Sequence, residues 1–475
     1  MSHGTDPLEA ARAALAGEPA WLVGGAVRDR LLGRPTADFD IALAGDPQPA
    51  ARAVARAAGG TAFELSGAFG AWRVVGRAER SGDERSARGS GWNVDLVRLR
   101  DDDLAADLAA RDFTINAMAE PLAGGEPLDP HGGRADLEAR RLRMVSAAAL
   151  ADDPLRTLRA ARLAVELGLA LDADTRAEVR RQSPGLTGVA AERVFAELKR
   201  IVCAERPADG LLLAEDLGVV AVVLPELAAL RGVEQNVFHH RDVHGHTLEV
   251  LESVAALQAD PEPLGNHAVA VRALLAEPLG DDLARGDAMR FAALLHDAAK
   301  PATRGYRPDG RVTFVGHDSE GAELARGVLR RLRASERVAD YVAALTLHHL
   351  RLGFLVHARP LSRRAIWQYL AATAPDSADV TVFTVADRLA TRGRNAEAAI
   401  AAHIELAREV LGPALEHRSQ QPRAPLVRGD ELAEALGIAP GPQLGELLAA
   451  LEEARYAGEI ATREEAVSLA RSLLT

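Results

Sequence analysis

Cysteine is almost missing from this sequence. Cys203 stands alone among 475 residues, so no internal disulfide can form and a reducing compartment, the cytoplasm, is the expected setting. Lysine is nearly as scarce: Lys199 and Lys300 are the only two, and arginine supplies the rest of the 56 basic side chains. So strong a bias, like the abundance of alanine, reflects genome composition and says little about phosphate binding. Acids outnumber bases, 68 to 56, and leave a net charge of −12. That excludes a surface basic throughout and leaves room only for local nucleic-acid patches. Long apolar runs are absent too, since "GVVAVVLP" falls far short of a membrane span. No secretory leader is expected, because no basic-apolar-cleavage pattern opens the chain. Two phosphate signatures are also missing: there is no G-x-G-x-x-G and no Gly-Lys-Ser/Thr.

What is present begins with "WLVGGAVRDRLLGRPTADFDIALAGD", residues 21–46. "AWLVGG" reads as a short buried strand closing on a glycine turn, and "AVRDRLLG" as one or two helical turns. At Gly24-Gly25 free backbone N–H groups can hold phosphate, and Arg28, one turn in, can reach the same group. "DFDIAL" alternates acid and apolar residues, the strand period, so Asp38 and Asp40 face one way. Two carboxylates side by side repel unless a cation lies between them, and hard oxygen ligands suit Mg²⁺. A third acid, Asp95, stands in the strand "WNVDLVRL". If the two strands are neighbours, three carboxylates meet at one edge, the constellation for metal-assisted phosphoryl transfer. The helix "QPAARAVARAAGG" and the strands "TAFEL" and "AWRVVGRA" complete a mixed α/β region. "ERSGDERSARGSG" reads as a hairpin loop.

"LVGGAVRDRLLG…DFD", followed in order by "RDFTINAMA" (111–119), "DPHGGRADLEARRLRMV" (129–145), "DDPLRTLRAARLAVELGL" (152–169) and "ERVFAELKRIV" (192–202), resembles the class II nucleotidyltransferases. That family comprises the tRNA CCA-adding enzymes and the bacterial poly(A) polymerases. The resemblance implies that Asp38 and Asp40 bind the catalytic Mg²⁺ and that Asp95 completes the site. It implies that Gly24, Gly25 and Arg28 hold the triphosphate, and that Arg111, Asp112 and Asn116 contact ribose and phosphates. Asp153 and Arg156 would read the base. A carboxylate accepts from the exocyclic amine of cytosine or adenine, and a guanidinium donates to ring nitrogen or carbonyl. The opening Asp-Asp-Pro fits a helix start, and on that helix the pair shares one face, three residues apart, with Arg159 and Arg162 continuing it toward phosphate or primer. Two departures from the family pattern bear on nucleotide preference: Asp152 where glutamate is usual, and Ala110 where arginine is usual.

The histidines lie mostly in the second half: "HHRDVHGHTLEVL" (239–251), "FAALLHDAAKP" (291–301), "VGHDSEGAELA" (315–325), "LTLHHLRL" (345–352) and "VADRLA" (385–390). Histidine and aspartate converging from different helices suit a divalent ion. The series resembles the HD phosphohydrolase superfamily through His246, His296, Asp297 and Asp387. His317 and one of His348 or His349 fit extra ligands for a second ion, and Lys300 lies one turn beyond His296. Neighbouring helical residues point about 100° apart, so only one of His348 and His349 is expected to face the site.

The expected architecture is multidomain: an α/β nucleotidyltransferase head with a mixed sheet (1–145), a helical neck (146–235), an HD domain (236–395) and a helical tail (396–475). The expected function is addition of CMP and/or AMP from CTP and ATP to a tRNA 3′ end, with Mg²⁺ in the head. A divalent transition metal or Mg²⁺ is expected in the HD domain, together with a second, phosphohydrolase activity. No membrane partner is expected. The alternatives are a poly(A) polymerase, a partial CC- or A-adding enzyme, and an RNA-binding or nucleotide-sensing HD protein with an inactive head. Cys203 is expected in a helical core.

Overall fold

A computed structural model describes residues 6–66, 70–77, 91–419 and 424–474. They cluster into two compact units, Met1–Val189 with Asp216–Val219, and Ala190–Glu215 with Val220–Thr475. The segment expected as a neck is thus divided between the two. Residues 79–90 of the expected hairpin loop lie outside the described residues.

The first unit is built on a six-stranded mixed sheet. Its strands are β1 (Ala20–Val23), β2 (Asp38–Leu43), β3 (Thr61–Ser66), β4 (Ala71–Arg77), β5 (Gly91–Arg98) and β6 (Ala119–Pro121), in the order β3-β4-β5-β2-β1-β6. β2 and β5 run parallel and the other pairs antiparallel. In β2 the residues facing the core, Phe39 and Ile41, are buried, while Asp38 and Asp40 face outward. The helix Pro47–Ala58 starts and stops where the sequence directs. Asp46 accepts from Gln48 N–H ahead of Pro47, and Gly59 ends it at φ 69°. Beyond residue 146 this unit turns helical. The helix start expected at Asp-Asp-Pro is found, but Asp153 does not lie on the helix with Arg156. Ala147–Asp152 ends before Pro154, and Leu155–Leu167 begins after it, because the residue before proline is driven to extended backbone. Asp153 sits there at φ −141°, outside the helix on which Arg156 lies.

The second unit is a helical assembly. Val243–Ala259 packs against Arg285–Leu295 and Ser377–Ala390, and His317–Arg331 against Glu336–His348. Near the C-terminal end, Leu432, Leu444, Leu447, Leu451 and Ala466 form a separate apolar cluster. Strand signals were expected to stop at 146, yet two short hairpins, Pro278–Gly280 with Leu283–Ala284 and Arg304–Tyr306 with Val312–Phe314, lie within this unit. Their strands of two or three residues are too short for a period of two to show. Cys203 is not a core residue: it caps the helix Ala191–Val202 and is half-buried.

Candidate functional site

The three head acids meet through backbone register. Asp40 on β2 pairs with Asp95 on β5, and Asp38 with Asn93. Asn93 Nδ2 donates to Asp38 Oδ1 over 2.8 Å. Crowding by protein atoms pushes the Asp40 carboxyl above its ordinary value. Arg111 opposes the rise, and the like charges of Asp95 and Asp38 add to it. The side chain keeps an open face to solvent, so the like-charge repulsion is the part that a bound cation would relieve. An all-oxygen donor set under that strain fits a hard divalent ion. Asp95 is itself held bidentately by Arg73 on β4, with Nε to Oδ1 at 2.6 Å and Nη2 to Oδ2 at 2.7 Å. That contact was not foreseen, because nothing in "AWRVVGRA" tells which strand flanks Asp95.

Gly24 turns the chain at φ 74°. A Cβ there would lie 2.8 Å from Arg111 Nη1 and 3.2 Å from Asp40 Oδ2, so only glycine lets that guanidinium and carboxylate approach across the turn. Arg28 is buried; its Nη1 donates to Asn116 Oδ1 at 2.7 Å, and its Nε and Nη2 grip Asp29 at 2.9 Å each. Asn116 Nδ2 donates on to Asp112 Oδ1 at 3.0 Å, and Arg159 Nη1 to Asp112 Oδ2 at 3.0 Å. Burial would raise the Asp112 carboxyl, but Arg159, Asn116 and the Phe113 N–H outweigh it and hold it below its usual value. One connected chain therefore joins Arg28, Asn116, Asp112 and Arg159. Arg156 is tied by Nη1 to the Ala149 carbonyl at 2.9 Å. Arg162 departs from the expected face: it is buried and donates to Glu166 at 2.6 Å.

In the second unit the histidines come together at helix ends. Asp242 accepts from Gly232 and Gly245 N–H, starting the helix that carries His246. His296 and His349 follow the last turns of Arg285–Leu295 and Glu336–His348. Each donates Nδ1–H to the carbonyl three residues back, Ala293 O at 2.9 Å and Thr346 O at 2.6 Å, satisfying helix-terminal acceptors. His317 does the same to Phe314 O at 2.6 Å. Burial pushes His317 and His349 down, so these bonds leave the Nε2 of those two rings as bare lone pairs, whereas burial at His296 is outweighed by Asp297 beside it, which raises that ring. The two lone pairs, on His317 and His349, face each other at 3.3 Å, a contact that repels unless something positive lies between.

Asp297 sits in the middle. Its Oδ2 is 3.1 Å from His296 Nε2 and 3.8 Å from His246 Nε2, and its Oδ1 is 3.5 Å from His317 Nε2. Asp297 Oδ2 is met by Lys300 Nζ at 2.7 Å, but Asp297 Oδ1, His296 Nε2 and His246 Nδ1 are buried without a hydrogen-bond partner. Burial works against the Asp297 charge, but His296 and Lys300 outweigh it and hold the carboxyl well below its usual range. Asp387 closes the group with Oδ1 3.0 Å from His246 Nε2. Two sets of donor atoms, His246–His296–Asp297 and Asp297–His317–His349, are each compact enough for one ion and share Asp297. Orphaned buried donors and opposed lone pairs together fit a divalent metal centre.

Of the two adjacent histidines the structure selects His349. His348 turns away and accepts from Arg351 Nε at 2.9 Å. His239 had not been singled out from sequence. Its ring lies 5.0 Å from that of His246, edge to face, and burial with the nearby His246 and Lys300 pushes it down to about 3. Its place in the run "HHRDVHGH" was the only available signal. Among the described residues, no helix is long and apolar enough to cross a membrane.

Against known proteins, residues 20–143 match the poly A polymerase head domain. Residues 168–230 match the probable RNA- and SrmB-binding site of polymerase A, and 243–392 the HD domain. An A-adding tRNA nucleotidyltransferase from Deinococcus radiodurans is 37% identical over 454 residues, 94% of each chain. The chain belongs to the class II nucleotidyltransferase family. A CC-adding tRNA nucleotidyltransferase from Thermus thermophilus is nearly as similar to this nucleotidyltransferase, 36% over 455 residues, covering 94% of this chain and 92% of that one. The fold is shared with the Bacillus stearothermophilus CCA-adding enzyme solved with CTP, at TM-score 0.63 and 23% identity over 99% of this chain and 98% of that one.

Proposed function

We propose that this nucleotidyltransferase adds CMP and/or AMP, from CTP and ATP, to the 3′ end of tRNA in the cytoplasm. The observation that carries the reading is the register that places Asp40 beside Asp95 and next to Asp38, at the mouth of the Gly24 turn. Asp38 and Asp40 would hold Mg²⁺, with Asp95 alongside. Bound there, the ion supplies Lewis acidity toward the triphosphate and the attacking 3′-hydroxyl. Gly24, Gly25 and Arg28 offer donors to the triphosphate, and Arg111, across the turn, offers a positive charge. Asn116 and Asp112 hold Arg28 and Arg159 in place, and Asp153 with Arg156 is the base-facing pair. Relatives of both partial specificities, CC and A, are about equally similar, so the choice of nucleotide is the point to measure.

Extension of tRNA transcripts ending at the discriminator base, after CC, and after CCA decides it at single-nucleotide resolution. Growth to CCA and arrest is the full activity. Arrest at CC, or growth with ATP only on the CC-ended transcript, is a partial one. A long adenosine ladder overturns the tRNA reading in favour of poly(A) synthesis. No incorporation leaves the head acids without this role.

A second reading is favoured by the orphaned donors around Asp297. His246, His296, Asp297, His317, His349 and Asp387 form a divalent centre, of a transition metal or Mg²⁺, that hydrolyses phosphate esters. Metal content after dialysis, together with release of phosphate from nucleotide esters, tests it.

A further inference from the structure

Exposed aromatic rings are rare in the second unit. Among the described residues they are Phe238, Tyr306 and Phe354, and the first two stand on segments tied to one another beside the Asp297 centre. Phe238 is 52% exposed and precedes His239, whose ring lies 5.0 Å from that of His246. Tyr306 is 64% exposed on the hairpin Arg304–Tyr306 with Val312–Phe314, which runs on through Val315, also exposed, to His317. Glu234 lies 3.7 Å from Arg304 and joins the loop of Phe238 to that hairpin. Phe238 O accepts from Gly393 N–H at 2.8 Å and Val237 O from Arg394 N–H at 3.2 Å, joining the loop to the turn that follows the helix of Asp387. Beside that turn a shallow hollow of 590 Å³ is lined in part by Arg392, Gly393, Asn395 and Ile400. The charge of these segments is opposite to that of the chain. Residues 300–315 carry Lys300, Arg304, Arg307 and Arg311 against Asp309 alone, and 388–395 carry Arg388, Arg392 and Arg394 with no acid, in a chain of net charge −12. Arg304 stacks over the Tyr306 ring at 5.5 Å, and Arg307, Arg392 and Arg394 are exposed.

We infer that this rim is a platform for single-stranded RNA, with Phe238 and Tyr306 stacking bases and the arginines meeting the phosphates between them. The inference rests on the reading of the Asp297 centre as a phosphate-ester hydrolase and names its substrate class: the phosphorylated end of an RNA strand in place of a free nucleotide. Apolar rings left in water mark a binding surface. Rings interleaved with guanidinium groups, in an otherwise acidic chain, fit a ligand that is both flat and anionic. The strand must be single, because paired and stacked bases offer no free ring face. Stacking asks nothing of base identity, so the platform takes any sequence. A mononucleotide brings one base and one phosphate to the rim, whereas a strand engages both rings and several arginines. The step is hydrolysis: a water oxygen bonds to the terminal phosphorus, the P–O bond to the ribose breaks, and the ribose oxygen leaves as a hydroxyl with a proton from that water.

The test compares two substrates of the full-length chain loaded with manganese(II): an oligouridylate of about eight nucleotides ending in a 3′-phosphate, and uridine 3′-monophosphate. No CTP or ATP is present, so the head adds nothing. The parent is expected to release phosphate from the oligonucleotide with kcat/KM about tenfold or more above that for the mononucleotide. Phe238→Ala and Tyr306→Ala are each expected to weaken oligonucleotide binding, read by fluorescence anisotropy, about fivefold or more. Arg307→Glu with Arg394→Glu is expected to flatten the dependence of that binding on salt. Both rings are exposed, so the ring variants should keep the parental unfolding midpoint. Equal kcat/KM for the two substrates, or binding that the ring variants leave unchanged, overturns the platform while the hydrolase reading stands. Phosphate released from neither substrate overturns the hydrolase reading, and the anisotropy then decides the platform alone. Dimerisation that Phe238→Ala abolishes, with RNA binding unchanged, gives the rim to a second copy of the chain and overturns the inference.

Discussion

The two candidate metal sites of this chain are built by opposite means. In the head, carboxylates alone are brought together by strand register, on a face open to water. In the HD region a buried aspartate is ringed by histidines whose tautomers are set by carbonyls at helix ends. The first arrangement repels itself, and its hard oxygens suit an ion that arrives with a nucleotide. The second has nitrogen donors fixed in advance, and its enclosure suits an ion that stays. The difference teaches that a metal site is specified at the level that positions its donors: sheet pairing in one unit, helix termination in the other.

Breaking each site separately should show how independent they are. Asp40→Ala should lower nucleotide addition by about 4 kcal/mol in activation free energy, roughly a thousandfold, while metal retained after dialysis stays at the parental level. Loss of that metal as well would show the two sites to be coupled. Next in size, His349→Ala should cost about 10- to 100-fold in the affinity of the HD site for its metal, whereas His348→Ala should change it by less than about twofold, since His348 faces Arg351. Equilibrium dialysis against a chelator ranks the two, and equal losses would refute the assignment.

Smaller effects sharpen the contrast. Arg73→Leu frees both oxygens of Asp95, so half-saturation by Mg²⁺ should fall even as the maximal addition rate drops by about tenfold through lost positioning. A rate-against-Mg²⁺ titration separates these, and an unchanged half-saturation would show that Asp95 does not share in ion binding. Arg159→Ala leaves Asp112 buried with one charge partner fewer and should cost about 1–3 kcal/mol of stability by urea unfolding.

The smallest concerns pH in the second unit. His403 is buried against Thr384 Oγ1, and burial pushes it down to about 4. Its folded value lies below the unfolded one, so between about 6.5 and 4 the unfolded chain binds the extra proton. Stability is therefore lost as pH falls through that window, by roughly 1 kcal/mol per pH unit. His403→Gln should flatten the slope of unfolding free energy against pH there, and a slope that stays the same would put the titration elsewhere.

Much of the head was legible because its information is local. Asp38 and Asp40 are two apart on a strand, and a period of two fixes their common face whatever lies around them. The same locality found the helix start at Asp-Asp-Pro but misplaced Asp153, which Pro154 holds in extended backbone just ahead of the helix. It failed at Arg162, whose place in a run of arginines says nothing about Glu166 one turn later. It could not find Arg73, because pairing between β4 and β5 is a tertiary fact. Among the histidines, sequence spacing could say that one of His348 and His349 faces inward. Only the packing of the helix Glu336–His348 says which.

The pairing of β2 with β5 carries one more consequence, in time rather than in space. A helix and two strands separate them in the chain, so Asp40 meets Asp95 only after a long loop has closed, and contacts that distant are slow to form. A nascent chain that has already made the Gly24 turn and the first two acids still lacks the third. The head therefore acquires its chemistry late, when its sheet is nearly whole, and a half-made chain is spared the means to act on RNA.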